Sequence, residues 1–491
     1  MNAYKQRFLI PLAILMLVTM SLSQDWPLFR GDPQHQAFAA STQDTLFENA
    51  AWTFQTGGAI FASPVVANHH VYFTSTDNFL YCLLDSTGEL IWKTKLGNWC
   101  EASPAVTNGL VYVACMDHQI YAFDATNGQV VWQFPTQSWL ESSPTIVGEY
   151  LYIGGTDHSF YCLNATSGQL IWKYPVGKDI YSTPAGWNGL VYFGADDHYF
   201  YALDSQGQLQ WRYSTGIYSI AASPSVVDSL VVFGTIDNDV DPTDDIESIN
   251  NRIIALNAIS GEPVWEITVE NFGLMHTSPA VADGKIFYPT DQGILRAIDL
   301  RTGTIQWDVS LPDSSFMWSS PAIAAGVVYL TTYTGKLFLF GADSGQVLGE
   351  FTLSDTSSYI QASPAIADNY LFFGASDGYL YALGKVLPTE VAISGHLPAS
   401  SIKLAQNYPN PFNPNTCIRY HLLKPERVRV KVLNLQGQVV CHLLDARQAP
   451  GTHSITWNGT DAQGQSVASG PYFYQIQAGA FYQTRKMLLL K

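Results

Sequence analysis

Hydrophobic positions along this chain fall into short runs of five or six residues, not into long amphipathic stretches. One stretch shows the pattern: Ser143-Pro144-Thr145-Ile146-Val147, Tyr150-Leu151-Tyr152-Ile153-Gly154, Phe160-Tyr161-Cys162-Leu163-Asn164, then Leu170-Ile171-Trp172-Lys173. β-Branched and aromatic residues dominate these runs, which predicts four short strands. Between them stand turn residues: Asn108-Gly109 or Asn188-Gly189, Asp157-His158 or Asp377-Gly378, and Ser167-Gly168 or Thr302-Gly303. Such pairs favour the positive φ of tight hairpins, so each unit is a four-stranded antiparallel sheet.

The unit recurs. Ser-Pro or Thr-Pro stands at Ser63, Ser103, Ser143, Thr183, Ser223, Ser278, Ser320 and Ser363, and successive pairs from Ser63 to Ser223 are 40 residues apart. Sheets of this size bury both faces only by stacking around an axis, which is a propeller blade. Trp52, Trp92, Trp132, Trp172, Trp211, Trp265 and Trp307 mark outer strands. The eighth unit ends at Leu380-Tyr381-Ala382-Leu383-Gly384 without one, whereas Ala51-Trp52-Thr53-Phe54 is an orphan strand at the start. That N-terminal strand is expected to complete the last blade and leave no exposed edge. The fold class read from the sequence is all-β: an eight-bladed β-propeller followed by a small immunoglobulin-like β-sandwich.

Other segments set the boundaries. Residues 1–23 read as a signal peptide: Lys5 and Arg7 precede the apolar run Phe8 to Leu22, and Ser21-Leu22-Ser23 supplies small residues for cleavage. No Cys follows that run to make a lipoprotein, and no other segment is apolar enough to span a bilayer, so no transmembrane segment is expected after signal removal. The propeller occupies 24–385, a linker rich in Pro, Ser and small residues 386–403, and a C-terminal domain 404–491. In the last, Val428 to Leu433 and Tyr472 to Ile476 alternate as strands, punctuated by Gly437, Gly451, Gly464 and Gly470.

Charge narrows the partners. With 24 Lys+Arg against 41 Asp+Glu, a net −17, the chain lacks the basic footprint of a nucleic-acid binder. Six cysteines in an exported chain raise the question of disulfides. Cys82 and Cys162 sit where other repeats carry Ala and read as small core residues; the pairings Cys100–Cys115 and Cys417–Cys441 are both open.

Two resemblances rest on these residues. The repeat Ser-Pro-Ala-Val, Tyr-Val-Gly, Tyr-Ala-Leu-Asp, Thr-Gly, Trp, with the opening Trp26-Pro27-Leu28-Phe29-Arg30-Gly31-Asp32, resembles the pyrroloquinoline-quinone (PQQ) repeat over about residues 25–385. That family includes dehydrogenases and non-enzymatic scaffolds similar to the outer-membrane assembly lipoprotein, so the repeat implies the fold and leaves the use open. The stretch Gln406-Asn407-Tyr408-Pro409-Asn410-Pro411-Phe412-Asn413-Pro414, with Asn434 to Gln438, Trp457-Asn458-Gly459, Ser469-Gly470-Pro471-Tyr472 and Lys486 to Lys491, resembles the type A sorting domain of the type IX secretion system. This domain is itself similar to the immunoglobulin-like part of flagellar hook-capping proteins. The resemblance implies export through the periplasm to the medium or the outer-membrane surface of a Gram-negative bacterium, with the type IX machinery as partner.

For chemistry, a quinone dehydrogenase implies a quinone and Ca²⁺ at the axis, a catalytic Asp and commonly an adjacent cysteine pair. No Cys-Cys pair exists here, and the recurring Asp77, Asp117, Asp157, Asp197, Asp237, Asp291 and Asp377 are explained by turns, so no enzyme activity, catalytic residue or quinone is expected. His118, His158 and His198 follow that Asp in three blades and read as solvated turn residues, too far apart to share one ion. In the fifth-blade insertion, Asp237, Asp239 and Asp241 place alternate carboxylates suited to Ca²⁺, against a solvated acidic loop. The expected ligand face lies ahead of each Ser/Thr-Pro. Two residues ahead come Phe61, Glu101, Glu141, Tyr181, Ala221, His276, Trp318 and Gln361; four ahead come Ala59, Trp99, Trp139, Asp179, Ser219, Leu274, Phe316 and Tyr359. Strand alternation would turn both sets to one side. Because they vary while their frame is constant, they read as a ligand mouth for an unknown protein, peptide or glycan, or as a plug of the channel. The functional expectation is a secreted or surface-displayed scaffold; the alternatives are a quinone/Ca-dependent oxidoreductase and an envelope-assembly scaffold.

Overall fold

The computed structural model describes residues 25–39, 46–236, 251–269, 277–386 apart from 291, 312–316, 356 and 368–369, and 402–490 apart from 405–406, 408–411, 423–424, 435–438, 450, 463 and 479–480. The expected signal peptide, most of the linker and the acidic insertion with Asp237, Asp239 and Asp241 lie outside the described residues. The chain divides into two compact units, 1–389 and 390–491. Every described regular element is a strand, and no helix among the described residues is long and apolar enough to cross a membrane.

The first unit contains eight sheets, one for each Ser/Thr-Pro repeat: seven are four-stranded, and the seventh blade gains a fifth strand. Seven are continuous in sequence and span 65–95, 105–135, 145–175, 185–214, 225–269, 280–310 and 322–352. The eighth takes three strands from 365–386 and its outer strand from Leu46–Gln55, antiparallel to Tyr379–Val386 with Trp52 opposite Ala382 and Phe54 opposite Leu380. The expected strand exchange is present, and the strand is longer than Ala51 to Phe54.

Two sets of inter-sheet contacts explain the repeat. Near the axis, the Ser63 N–H donates to Ser103 Oγ, Ser103 to Ser143 and Ser143 to Thr183; the chain of bonds continues through Ser223, Ser278, Ser320 and Ser363. Ser363 N–H closes the circle on Ser63 Oγ at 2.9 Å. Eight hydrogen bonds therefore link the blades head to tail, which is why each repeat keeps a hydroxyl before its proline. At the periphery, each outer-strand Trp donates its indole N–H to a carbonyl in the next blade's last hairpin, as Trp132 does to Ala165 at 2.9 Å. Six others do the same. The hairpin glycine lies flat under the indole: Gly168 has φ +70, and a Cβ there would sit 2.5 Å from the Trp132 ring. Blade 7 carries Gly349 where its Trp would stand. Blade 8 has no such hairpin to receive one, because its outer strand comes from the other end of the chain.

The segment 26–39 seals the axis beyond the hydroxyl ring. Its carbonyls accept from the amides of Val66, Val106, Gly186, Val226, Val281 and Ile323, one on the inner strand of each of six blades, and Trp26 N–H donates back to Val66 O; Phe38–Ala39 adds a parallel strand to blade 7. Arg30 and His35 are buried in it. The Arg30 Nη1 donates to Ser225 Oγ at 2.9 Å, and burial pushes its pKa down to about 9. Burial, then the Arg30 charge, pushes His35 down to about 3.

Cys100 and Cys115 form a disulfide, whereas Cys417 and Cys441 are free. The latter two stand on strands of different sheets, Thr416–Leu422 and Val439–Gln448. Those sheets, three-stranded and four-stranded, make up the second unit around Ile418, Val428, Val430, Val432, Trp457, Tyr474, Ile476, Met487 and Leu489. The alternation read in the sequence holds there: Val428, Val430 and Val432 point inward, and Arg427 and Arg429 meet Asp445 outside. Its first described strand, Ile402–Leu404, begins inside the expected linker.

Candidate functional site: an acidic and aromatic funnel

On the side of the hydroxyl ring away from the sealing segment lies a cavity of about 610 Å³. All eight ring residues line it, Phe29 contributes from the N-terminal segment, and the walls are Phe61, Glu101, Glu141, Tyr181, Asp196, Ala221, Trp318 and Gln361. Every described residue of the set two ahead of Ser/Thr is thus brought together; His276 lies outside the described residues.

The set four ahead behaves differently. Ala59, Trp99, Trp139, Asp179, Ser219 and Tyr359 are not in the cavity wall, and Leu274 and Phe316 lie outside the described residues. The physical reason is the entry segment itself: residues 57–64 carry no ladder, and the inner strand begins only at Val65. Without a pleat, period-two alternation does not apply. The intervening residue, three ahead, is buried as a core knob, as Ile60, Leu140, Ile180 and Ile220 are. Trp99 and Tyr359 instead sit on the rim, and Trp139 is 44% exposed.

Two kinds of surface meet around the funnel's wall and rim. From blade 7 to blade 2 runs an aromatic arc: Trp318 is 5.8 Å from Tyr333, Tyr333 stacks on Tyr359 at 4.3 Å, Tyr359 on Phe61 at 5.9 Å, and Phe61 meets Trp99 edge-on at 6.5 Å. Trp318 and Tyr333 are 41% and 38% exposed, and Phe29 of the N-terminal segment borders the cavity. Blades 2 to 4 present carboxylates. Burial, followed by the charges of Glu101, Asp179 and Asp196, pushes Glu141 up to about 7. Burial raises Glu101, and burial with Asp179 lifts Asp196 to about 6 against the opposing charges of Lys178 and His198. Asp179 is held at the rim by His158 Nε2 at 3.0 Å and by the Tyr181 hydroxyl, which donates at 2.9 Å.

Sequence reasoning missed Asp196, Tyr333 and Phe29. Asp196 and Tyr333 occupy the position just before the second hairpin, where other blades carry Thr76, Met116, Thr156 or Ser376. Variation within a constant frame was the available signal. Phe29 arrives through non-local contacts that no spacing displays.

The repeating Asp residues that are described are structural; Asp237 and Asp291 lie outside the described residues. Asp77 accepts from the Phe79 and Gly57 amides and from the Tyr81 hydroxyl, and Asp197 repeats all three bonds with Tyr199, Gly177 and Tyr201. His118, His158 and His198 take φ of 65°, 61° and 69° in those hairpins, as the turn reading expected. Among the described residues no three His, Cys, Asp or Glu side chains converge as a metal site.

The fold and the site define a closed β-propeller with a sealed axis and one open funnel. Residues 40–143, 117–244 and 246–395 match the family described as outer membrane protein assembly factor BamB, and the chain belongs to that family of PQQ-type repeat proteins. Residues 418–480 match the FlgD Ig-like domain. BamB from Moraxella catarrhalis is 14% identical, with a TM-score of 0.56 over 68% of this chain and 96% of that one. A europium-containing methanol dehydrogenase is 13% identical, TM-score 0.59, over 72% and 90%. Quinohemoprotein alcohol dehydrogenase from Comamonas testosteroni is 14% identical, TM-score 0.61, over 78% and 82%. At these identities the likeness is one of fold. No curated protein matches the sequence.

Proposed function

We propose that this protein is a non-enzymatic recognition scaffold that binds a protein, peptide or glycan in the axial funnel. The observation that carries the reading is the contrast inside one cavity: an unvarying ring of eight hydroxyls supports walls that differ from blade to blade. Carboxylates crowded there destabilise the fold, a pattern of binding sites rather than of packing. The C-terminal domain serves as a type IX sorting signal that delivers the scaffold to the medium or the outer-membrane surface.

An envelope-assembly role is the second reading, favoured by the match to the BamB family. The quinone dehydrogenase reading is disfavoured by the cavity's chemistry. PQQ is a tricarboxylate, and the described lining offers Glu101, Glu141 and Asp196 but no Arg or Lys. The sequence has no adjacent cysteine pair. Titrating the full chain with PQQ, with and without Ca²⁺, is expected to show no saturable binding; tight Ca²⁺-dependent binding would replace the scaffold with an oxidoreductase.

A further inference from the structure

Within the scaffold reading, on which this inference rests, we propose that the funnel takes a basic peptide segment by an arginine side chain. Three features of one cavity converge on that chemistry. A guanidinium is planar and stacks on aromatic faces while its edge donates to carboxylates. The funnel offers both within one opening: Phe61 and Trp318 on one wall, Glu101, Glu141 and Asp196 on the other.

The floor supplies the third feature. Each of the eight Ser/Thr hydroxyl oxygens accepts a neighbouring backbone amide hydrogen at 2.9–3.1 Å. A hydroxyl that has accepted one bond still has its own proton to donate. Ser103, Ser143, Thr183, Ser278 and Ser320 are each at most 4% exposed, and all line the cavity. A buried ring of O–H donors suits carbonyl oxygens, which a peptide carries and a simple amine does not.

No Lys, Arg or His neutralises Glu101 or Glu141 within ion-pair distance among the described residues. The cations near this wall, His158, Lys178 and His198, lie toward Asp179 and Asp196. Glu101, Asp179 and Asp196 each repel the charged form of Glu141, which an entering cation would relieve.

The test is calorimetric titration of the full chain with acetyl-Gly-Arg-Gly-amide, its citrulline counterpart and chitotetraose. At pH 8 the arginine peptide is expected to bind, and the uncharged citrulline peptide to bind about tenfold more weakly or worse. The doubly substituted Glu101→Gln/Glu141→Gln chain should lose a similar factor for arginine. Lowering the pH from 8 to 5.5 protonates Glu141 and part of Asp196, so wild-type affinity should fall, and fall less in the double variant. Tyr333→Leu, which leaves the carboxylates in place, should also weaken arginine binding. Equal binding of arginine and citrulline peptides, or no arginine binding at millimolar concentration, overturns the inference. Chitotetraose binding indifferent to Glu101→Gln/Glu141→Gln overturns it while leaving a glycan scaffold standing. PQQ binding would instead remove the scaffold reading itself.

Discussion

A chain lacking Leu46–Gln55 is expected to lose the cooperative unfolding transition of the propeller and to aggregate. The strand pairs along Tyr379–Val386, so its removal bares a full edge of blade 8. The blade 8 to blade 1 junction goes with it: Trp52 donates to the Asp85 carbonyl at 2.8 Å, and Phe54 packs on Phe73 and Tyr81 at 6.4 and 5.7 Å. Trp52 and Phe54 are half-buried, so their contacts alone are worth about 2–4 kcal/mol, a large part of the stability of a domain. Size-exclusion chromatography and circular dichroism read the outcome. Supplying the ten residues as a free peptide should recover the monomeric species by strand addition. An unchanged melting transition would mean that the ring closes by another route.

Trp132→Ala has the next largest expected effect, a loss of about 3–5 kcal/mol in chemical denaturation. The indole is buried between blades 2 and 3, donates to Ala165 O at 2.9 Å and lies 5.9 Å from Tyr112. Trp132→Phe keeps most of the apolar contact and strands the carbonyl, so it should lose roughly 1–3 kcal/mol. Gly168→Ala should resemble the alanine variant more than a surface change: the new Cβ meets the ring at 2.5 Å and the backbone has a φ of +70. If Gly168→Ala were neutral, the indole–hairpin contact would not be what joins the blades.

The frame of this molecule was legible because its cause is periodic. The hydroxyl before each proline makes the same bond in every blade and the outer-strand Trp makes its own in seven, so the contacts leave a mark every 40 residues or so. The orphan Trp52 strand and the missing Trp of blade 7 are one fact seen from two ends. The funnel was legible only in part. Phe61, Glu101, Glu141, Tyr181 and Trp318 were found by asking where the repeat fails to repeat. Trp99, Trp139, Asp179 and Tyr359 lie outside the cavity lining because alternation presupposes a ladder, and their own entry segments have none. The Asp-to-Tyr bond four residues on, as in Asp377 and Tyr381, was written in the spacing and read only as a turn.

In the scaffold reading, the funnel holds its carboxylates for a ligand and at the expense of stability. Comparing the melting of the wild type and Glu141→Gln across pH tests this most directly. The folded-state pKa of Glu141, about 7, is above its ordinary 4.5. Its penalty is therefore absent below the lower value, grows as pH rises between the two, and is complete above pH 7. The Gln variant should be more stable at pH 8 by roughly 1–2 kcal/mol, discounted for solvent at the mouth, with the gain vanishing toward pH 4.5. His35, held neutral in the fold and charged when unfolded below about pH 6.5, destabilises both chains alike and cancels in the difference. A Gln variant less stable than wild type at both ends of this range would contradict the account and make Glu141 a structural residue.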